Sequence, residues 1–308
     1  MNKSKSFQEL NLVDGFMFGA STENPEDAKF IAKLIIERAT GKKVKEVTVT
    51  QEKPLLGLDV GYHGIRMDLY VTECERDNIV KVYDIEPNRY GINELPRRSR
   101  FSQALTDAKL LKSGESYSDM PEYLSIWILT KDPFGKNQML YSVKNFVEGF
   151  PDIVYNDGVT KLFLYVGGEF GGNGELKDLL RYFKKSDKKN VVDKDIEKLH
   201  TIVEKVKHNR KVGEQYMTWQ EMLDYEKAEA REEAREEGLA EGRAEGRAEG
   251  RAEGRAEGLQ AGILENIQMT IKICKNLGAS DEQIVLNLVK EFKFSEEEAK
   301  THLLKCNY

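Results

Sequence analysis

Three acidic residues lie on two short segments whose composition predicts neighbouring strands. The segment GIRMDLYV contains Asp68, and the segment VYDIE contains Asp84 and Glu86. Both segments are rich in β-branched and aromatic residues, and polar residues around Asp77 separate them, as in a hairpin turn. Antiparallel pairing about this turn brings Asp68 opposite Glu86, within one residue. Facing residues of paired strands have Cβ atoms about 4.5–5.5 Å apart.

The alternation of side chains along a strand sorts these residues between two faces. Asp84 and Glu86 share one face, because they are two residues apart. The apolar residues of the first strand take the face opposite to Asp68: Met67, Leu69 and Val71.

Clustered carboxylates repel one another, which raises the pKa of each unless a positive charge lies between them. A hard divalent cation supplies that charge, and Mg²⁺ is typically held by one or two carboxylates together with water and substrate phosphate. Mn²⁺ or Ca²⁺ would suit the same oxygen ligands. The alternative is a solvent-exposed hairpin face that happens to be acidic.

Arginines follow the acids at the start of a predicted helix, which runs from Leu95 to about Lys112. Arg97 and Arg100 are three residues apart and share a helical face, whereas Arg98 points elsewhere. Cations at this end oppose the helix dipole, and their presence is easier to understand if an anion binds there. Arginine can bridge two phosphate oxygens. The alternative is a solvated helix start.

The composition excludes several classes of protein. The chain has 308 residues, of which 40% are hydrophobic, and a net charge of -6. This composition argues against a disordered chain and against a basic nucleic-acid coat, so any DNA contact must come from a local basic patch. The three cysteines lack metal-type spacing and suggest reduced thiols. Without a signal peptide or an apolar run of about 18 residues, we expect a cytoplasmic protein that does not enter a membrane.

The pattern of elements predicts an α/β fold. A helix begins after Asn24 and ends near Gly41, and the helix from Leu95 lies between strand-like runs. This order implies a sheet with helices on its faces. The strand-like runs cover 44–51, 64–73, 79–86, 123–130, 138–146 and 161–166. Charge and complexity divide the chain into a mixed domain (1–185), a helical connector (186–225), a low-complexity repeat (226–262) and a small helical tail (263–308).

The low-complexity segment repeats RAEG four times between Arg243 and Gly258. Glycine at every fourth position costs about 1 kcal/mol each relative to alanine in a helix, and like charges face one another at i,i+4. The repeat could be a helical spacer or oligomerisation stalk, in which a partner chain approaches along the glycine stripe, or it could be a flexible linker. In the tail, Ser280 with Gln283 and Ser295 with Glu298 are capping-box starts of two short helices.

Further motifs stand in order around the acidic strands. VDGFMFGAST, which contains Asp14, precedes them; PRRSRFSQALTDAKLLKSGESY and YLSIWILTKDPFG follow. In this order, and with the repeat and helical tail, the chain resembles the Rpn family of recombination-promoting nucleases and transposases in the PD-(D/E)XK nuclease superfamily. Asp14 resembles the family's entry-helix acid, and VYDIEPN resembles its strand with the metal-binding glutamate.

The resemblance implies a restriction-endonuclease-like α/β core, in which a mixed central sheet is flanked by helices and a helical, repeat-containing C-terminal extension follows. It also implies a metal-dependent phosphodiesterase that cleaves DNA in recombination or mobile-element work. Asp68 and Glu86 would hold Mg²⁺ together with the backbone carbonyl of Pro87. Asn88 stands where the superfamily has a catalytic lysine, so a cation would have to come from elsewhere, with Arg98 and Arg100 as the candidates.

Two rival functions remain open beside the nuclease. A nuclease fold with weak or lost catalysis could still bind DNA, and the neutral Asn88 favours this alternative, whereas the presence of both Asp68 and Glu86 opposes it. An oligomeric interaction protein, associating with copies of itself through the repeat and tail, is the third. Asp14 and Asp84 are accessory candidates for the site.

Overall fold

The computed structural model describes residues 5–55, 65–76, 78–87, 92–111 and 113–306. The chain divides into two compact units, Met1–Glu221 and Met222–Tyr308. In the described part of the first unit, one sheet has six strands in the order β1-β2-β3-β4-β8-β5, and β6 and β7 form a separate pair. The strands are β1 (Val47–Leu55), β2 (Ile65–Glu75), β3 (Asn78–Pro87), β4 (Glu122–Leu129), β5 (Leu140–Val143), β6 (Phe146–Val147), β7 (Phe150–Val154) and β8 (Val159–Tyr165).

The large sheet is mixed. The strands β1, β2 and β3 form an antiparallel meander, β3, β4 and β8 are parallel, and β5 runs antiparallel to β8. The α-helices of the described chain are α1 (Gly15–Ser21), α2 (Pro25–Thr40), α3 (Leu95–Leu110), α4 (Gly174–Lys184), α5 (Lys194–Lys207), α6 (Arg210–Asn276), α7 (Asp281–Phe292) and α8 (Glu296–Lys305). The predicted α/β class, with helices packed on a mixed sheet, is confirmed.

Local sequence explains where α2 begins and ends. The Asn24 side chain accepts hydrogen bonds from the backbone N–H groups of Glu26 and Asp27, which have no partner inside the helix. Gly41 ends the helix at φ 69°, a left-handed conformation that glycine adopts without a steric penalty. Both positions agree with the sequence-based prediction.

The two faces of the sheet carry different partners. One face packs against helices α1, α2, α4 and α5 in a single apolar cluster, to which Leu69 and Ile85 of the sheet belong. The cluster also includes Val212 and Tyr216 from the first turns of α6, so residues beyond 185 contribute to the core of the first unit. The other face carries Tyr70, Val82 and Tyr123, which pack with Leu105 of α3. The three acids lie on the strands that α3 covers.

The second unit has its own small core. Apolar residues near the end of α6 pack with α7 and α8, among them Ile267, Ile284 and Leu303. Ser280 and Ser295 form capping boxes at the starts of α7 and α8, as predicted. The RAEG repeat lies within α6, and its residues are exposed.

Of the helices in the described part of the chain, none is both long enough and apolar enough to cross a bilayer.

Candidate active site

The pairing of β2 with β3 brings the acids together. Leu69 lies opposite Ile85 and Tyr70 lies opposite Asp84, so continuing the register by one pair places Asp68 beside Glu86. There the backbone N–H of Asp68 donates to the Glu86 Oε1 atom at 3.0 Å. The side chain of Glu86 therefore reaches across to the neighbouring strand. The two acids that the sequence analysis placed opposite each other are neighbours.

Two of the three carboxylates are removed from water. Asp84 is 0% exposed and Glu86 is 3% exposed, whereas Asp68 is half-buried. The hydroxyl of Tyr123, on β4, donates to Asp84 Oδ2 at 2.9 Å. Within the described residues, Asp84 Oδ1 has no hydrogen-bond partner. A solvent-exposed acidic hairpin face would not be buried in this way, so that alternative does not describe these acids.

Burial and mutual repulsion shift the acids away from their ordinary titration range. Burial raises the pKa of Asp84 to about 7; the hydroxyls of Tyr123 and Ser102 favour its ionised form, while the charge of Asp68 opposes it. Burial also raises the pKa of Glu86 well above its usual value, and the charges of Asp84 and Asp68 raise it further. Such a cluster needs a positive charge to be ionised at neutral pH.

Arg98 supplies part of that charge. It is half-buried on α3, and its guanidinium lowers the pKa of both Asp84 and Glu86. Helical periodicity predicts that Arg97 and Arg100 share a face of α3 and that Arg98 points elsewhere. Of these arginines, Arg98 is the one whose charge acts on the acids, whereas Arg97 and Arg100 are exposed. Arg100 instead lies near Lys161. Burial lowers the pKa of that lysine, and the charge of Arg100 lowers it further.

The remaining candidates lie at the edge of this site or away from it. Pro87 is the last residue of β3 and pairs with Ile128 of β4. Asn88 lies outside the described residues. Asp14 precedes α1, where its carboxylate accepts hydrogen bonds from the Lys5 ammonium at 2.9 Å and the Asn11 backbone N–H at 2.8 Å. These contacts belong to the start of α1 and do not involve the acids on β2 and β3.

The donor set suits a hard cation with few protein ligands. No group of three His, Cys, Asp or Glu side chains in the described chain is arranged to hold a metal ion. Two carboxylates are nevertheless sufficient for Mg²⁺, which keeps several waters. Oxygen donors and the raised carboxyl pKa of Glu86 fit such an ion at Asp68 and Glu86. The buried Asp84 Oδ1, which has no hydrogen-bond partner among the described residues, belongs to a side chain on the same face of β3 as Glu86.

Some residues of the site escaped the sequence analysis. Tyr123 of β4 donates to Asp84, and the Ser102 hydroxyl of α3 lowers the pKa of Asp84; no local motif marks either of them. Their positions depend on the parallel pairing of β3 with β4, which is a long-range contact. Alternation along β4 was the available signal, since Tyr123, Ser125 and Trp127 stand two residues apart within a strongly apolar run.

No family model, curated protein or solved structure matches the chain.

Proposed function

We propose that this protein is a metal-dependent DNA endonuclease with a restriction-endonuclease-like core. The observation that carries the proposal is the burial of Asp84 and Glu86 beside Asp68, with the pKa of both buried carboxyls raised. A buried carboxylate cluster is costly to a fold, and perturbed titration of this kind is concentrated at functional sites. The resemblance to the Rpn family supports the same interpretation.

Each residue of the site has a distinct role in this proposal. Asp68 and Glu86, with the backbone carbonyl of Pro87, would hold the ion. A divalent ion bound there lowers the pKa of a water molecule and stabilises charge on the phosphate oxygens. Arg98, which already acts electrostatically on the acids, would bind a phosphate oxygen. Asp84 accepts a hydrogen bond from Tyr123 of β4, and this contact would hold β3, which carries Glu86, in place.

A plasmid-nicking assay tests the proposal. Supercoiled DNA is incubated with the wild-type protein in Mg²⁺, Mn²⁺, Ca²⁺ or EDTA, beside an Asp68→Ala variant. We expect nicked circles with Mg²⁺ or Mn²⁺, and none with EDTA or with the variant. Nicking that is equally fast in EDTA would contradict a metal-dependent mechanism.

The arginines of α3 give a second prediction. Removing phosphate contacts reduces the slope of log affinity against log salt by about 0.9 for each contact in duplex DNA. We expect Arg98→Ala with Arg100→Ala to flatten the slope, measured by fluorescence anisotropy over a KCl series. The single variants separate the half-buried Arg98 from the exposed Arg100. Equal slopes for the wild type and the double variant would show that neither arginine contacts a DNA phosphate.

A DNA-binding protein without efficient catalysis is the first rival. The neutral amide of Asn88 favours it, because an amide cannot replace the charge of a lysine. The buried acids oppose it, since binding DNA needs no buried carboxylates and gains nothing from their repulsion. Tight binding of DNA without nicking under any metal would support the rival.

Self-association through the repeat is proposed as an additional property. A Cβ atom built on the repeat glycines meets nothing within 4 Å, so alanine fits at each of them within one chain: Gly242, Gly246, Gly250, Gly254 and Gly258. If two copies approach along this stripe, added methyl groups keep their backbones apart. An oligomeric stalk and a spacer therefore respond differently to Gly→Ala substitution.

We expect the triple variant Gly246→Ala, Gly250→Ala and Gly254→Ala to associate less than the wild type. Each substitution should also stabilise a single helix by about 1 kcal/mol, so loss of association would not reflect loss of helix. Sedimentation equilibrium of the full chain measures the oligomeric state. Arg247→Lys, which keeps the charge and the glycines, is the control. An unchanged oligomeric state in the alanine variant would exclude association along the glycine stripe and would support a helical spacer.

A further inference from the structure

Strand β1 changes the face to which its side chains point. Gln51 donates from Nε2 to the Thr22 Oγ1 atom at 2.9 Å, at the end of α1. Two residues on, Lys53 places its ammonium 3.6 Å from the centre of the Tyr70 ring. Residues i and i+2 of a regular strand share one face, yet α1 and Tyr70 lie on opposite faces of the sheet.

The residue between them explains the change. Glu52 has φ 42°, in the left-handed region, which is unfavourable for any residue with a Cβ atom. Met67, which pairs with Lys53 across the strands, likewise belongs to the apolar cluster of Tyr70. Backbone strain of this kind persists where the surrounding structure requires it, and it is concentrated at functional sites. Here the left-handed residue places Lys53 on the Tyr70 side of the sheet.

The surroundings of Lys53 leave its charge available. The side chain is half-buried, and burial lowers the pKa of its ammonium. Among the residues that the structure describes, no acidic side chain forms an ion pair with Lys53. The ring of Tyr70 covers one side of the ammonium and leaves N–H donors for an anionic oxygen.

The position of Lys53 relates it to the acids. Tyr70 lies directly opposite Asp84 in the pairing of β2 with β3, so Lys53 flanks the acids on the β1 side, while Arg98 acts on them from α3. An anion that spans this site would meet cations on both sides of the carboxylates. A polyanion with regularly spaced charges, such as a nucleic-acid backbone, fits this arrangement.

We propose that Lys53 binds a backbone phosphate of the nucleic acid next to the phosphate that lies at Asp68 and Glu86. This inference rests on the proposed nuclease function and assigns to that site a cation from β1. By binding that phosphate, Lys53 fixes the position of the nucleic-acid strand over the carboxylates. Because Lys53 contacts the substrate and does not hold the ion, its loss should weaken substrate binding more than the rate of the bound complex.

The test uses four variants of the full chain and a fluorescein-labelled DNA duplex as the probe. Lys53→Met and Lys53→Gln remove the charge, and Lys53→Arg keeps it. Lys45→Met is the matched control. Lys45 is an exposed lysine that lies just before β1 and forms an ion pair with Glu75 of β2. Near-ultraviolet circular dichroism checks that each variant is folded. Anisotropy in EDTA over a KCl series gives the salt slope for each protein.

We expect the uncharged Lys53 variants to lose about 0.9 from the slope of log affinity against log salt. Lys53→Arg and Lys45→Met should keep the wild-type slope. In the nicking assay with Mg²⁺, Lys53→Met should raise KM more than it lowers kcat. One contrary result is a wild type that binds and nicks DNA while both uncharged Lys53 variants keep the wild-type salt slope. That result would overturn the inference about Lys53 and leave the proposed function standing. A wild-type protein that neither binds nor nicks DNA would overturn the proposed function and this inference together.

Discussion

Replacing Glu86 by glutamine is expected to abolish metal-dependent cleavage. Glutamine keeps the size of the side chain and can still accept from the Asp68 backbone N–H, but it lacks the charge that a cation requires. Loss of a residue that supports a metal ligand typically costs about 10–100-fold, so loss of the ligand itself should lower the rate by on the order of 10³-fold or more. Single-turnover nicking with Mg²⁺ measures the rate, and calorimetric titration with Mg²⁺ measures binding.

Glu94→Gln is the matched control for this experiment. Glu94 precedes α3 and is exposed, so the same chemical change there should leave both the rate and the binding of Mg²⁺ unchanged. Retention of wild-type nicking by Glu86→Gln would place the metal site elsewhere in the chain.

Without metal, the wild type is expected to lose stability relative to an Asp84→Asn variant as the pH rises from about 4 to about 7. Burial raises the pKa of Asp84 to about 7 in the folded protein, whereas an unfolded aspartate titrates near 3.9. The folded state therefore binds the proton more tightly, and the stabilisation present below the unfolded pKa is lost as the pH rises through the folded pKa. Each unit of pKa difference corresponds to about 1.4 kcal/mol in the free energy of unfolding.

Urea denaturation in EDTA between pH 4 and pH 9 measures this effect. Asp84→Asn should flatten the pH dependence, because the amide does not titrate, and should unfold at a higher urea concentration than the wild type above pH 7. Glu86, whose pKa is also raised, contributes to the slope that remains in that variant. A difference in stability between the wild type and Asp84→Asn that stays constant across this window would mean that Asp84 is already ionised in the folded protein at low pH.

The juxtaposition of the acids could be predicted because it depends on local rules. A short connection between two alternating strands makes antiparallel pairing the default, and the register then follows from the position of the turn. The start and end of α2 were equally predictable, since Asn24 and Gly41 act within a few residues of themselves. The structure places Asp68 and Glu86 as that reasoning required.

Arg98 and Arg100 were both candidate cations, but local rules could not decide which of them acts on the acids. Helical periodicity grouped Arg97 with Arg100, but which side of α3 faces the sheet depends on the packing of Leu105 and Ser102, and that packing turns Arg98 towards the acids. Regular alternation along β2 placed Met67 on the face opposite to Asp68, whereas Met67 packs with Tyr70.

The irregularity at Glu52 places Lys53 on the Tyr70 side of the sheet, which regular alternation along β1 does not predict. A single left-handed residue reverses the faces of the residues that follow it, and no glycine marks the position. Likewise, the sequence predicts one strand over 138–146, but this run divides into β5, which pairs with β8, and β6, which pairs with β7. These partners lie far apart in the sequence or across a turn, and local propensity does not specify them.

The most direct test of the metal-dependent nuclease is the single-turnover nicking rate of the wild type against a double Asp68→Ala and Glu86→Ala variant. Both proteins should unfold cooperatively, and the variant should bind the DNA duplex with a salt slope close to that of the wild type, because the arginines and Lys53 remain. We predict that the wild type nicks supercoiled plasmid in Mg²⁺ and that the folded variant does not. A folded double variant that nicks DNA as fast as the wild type would contradict the assignment of these two carboxylates to the active site.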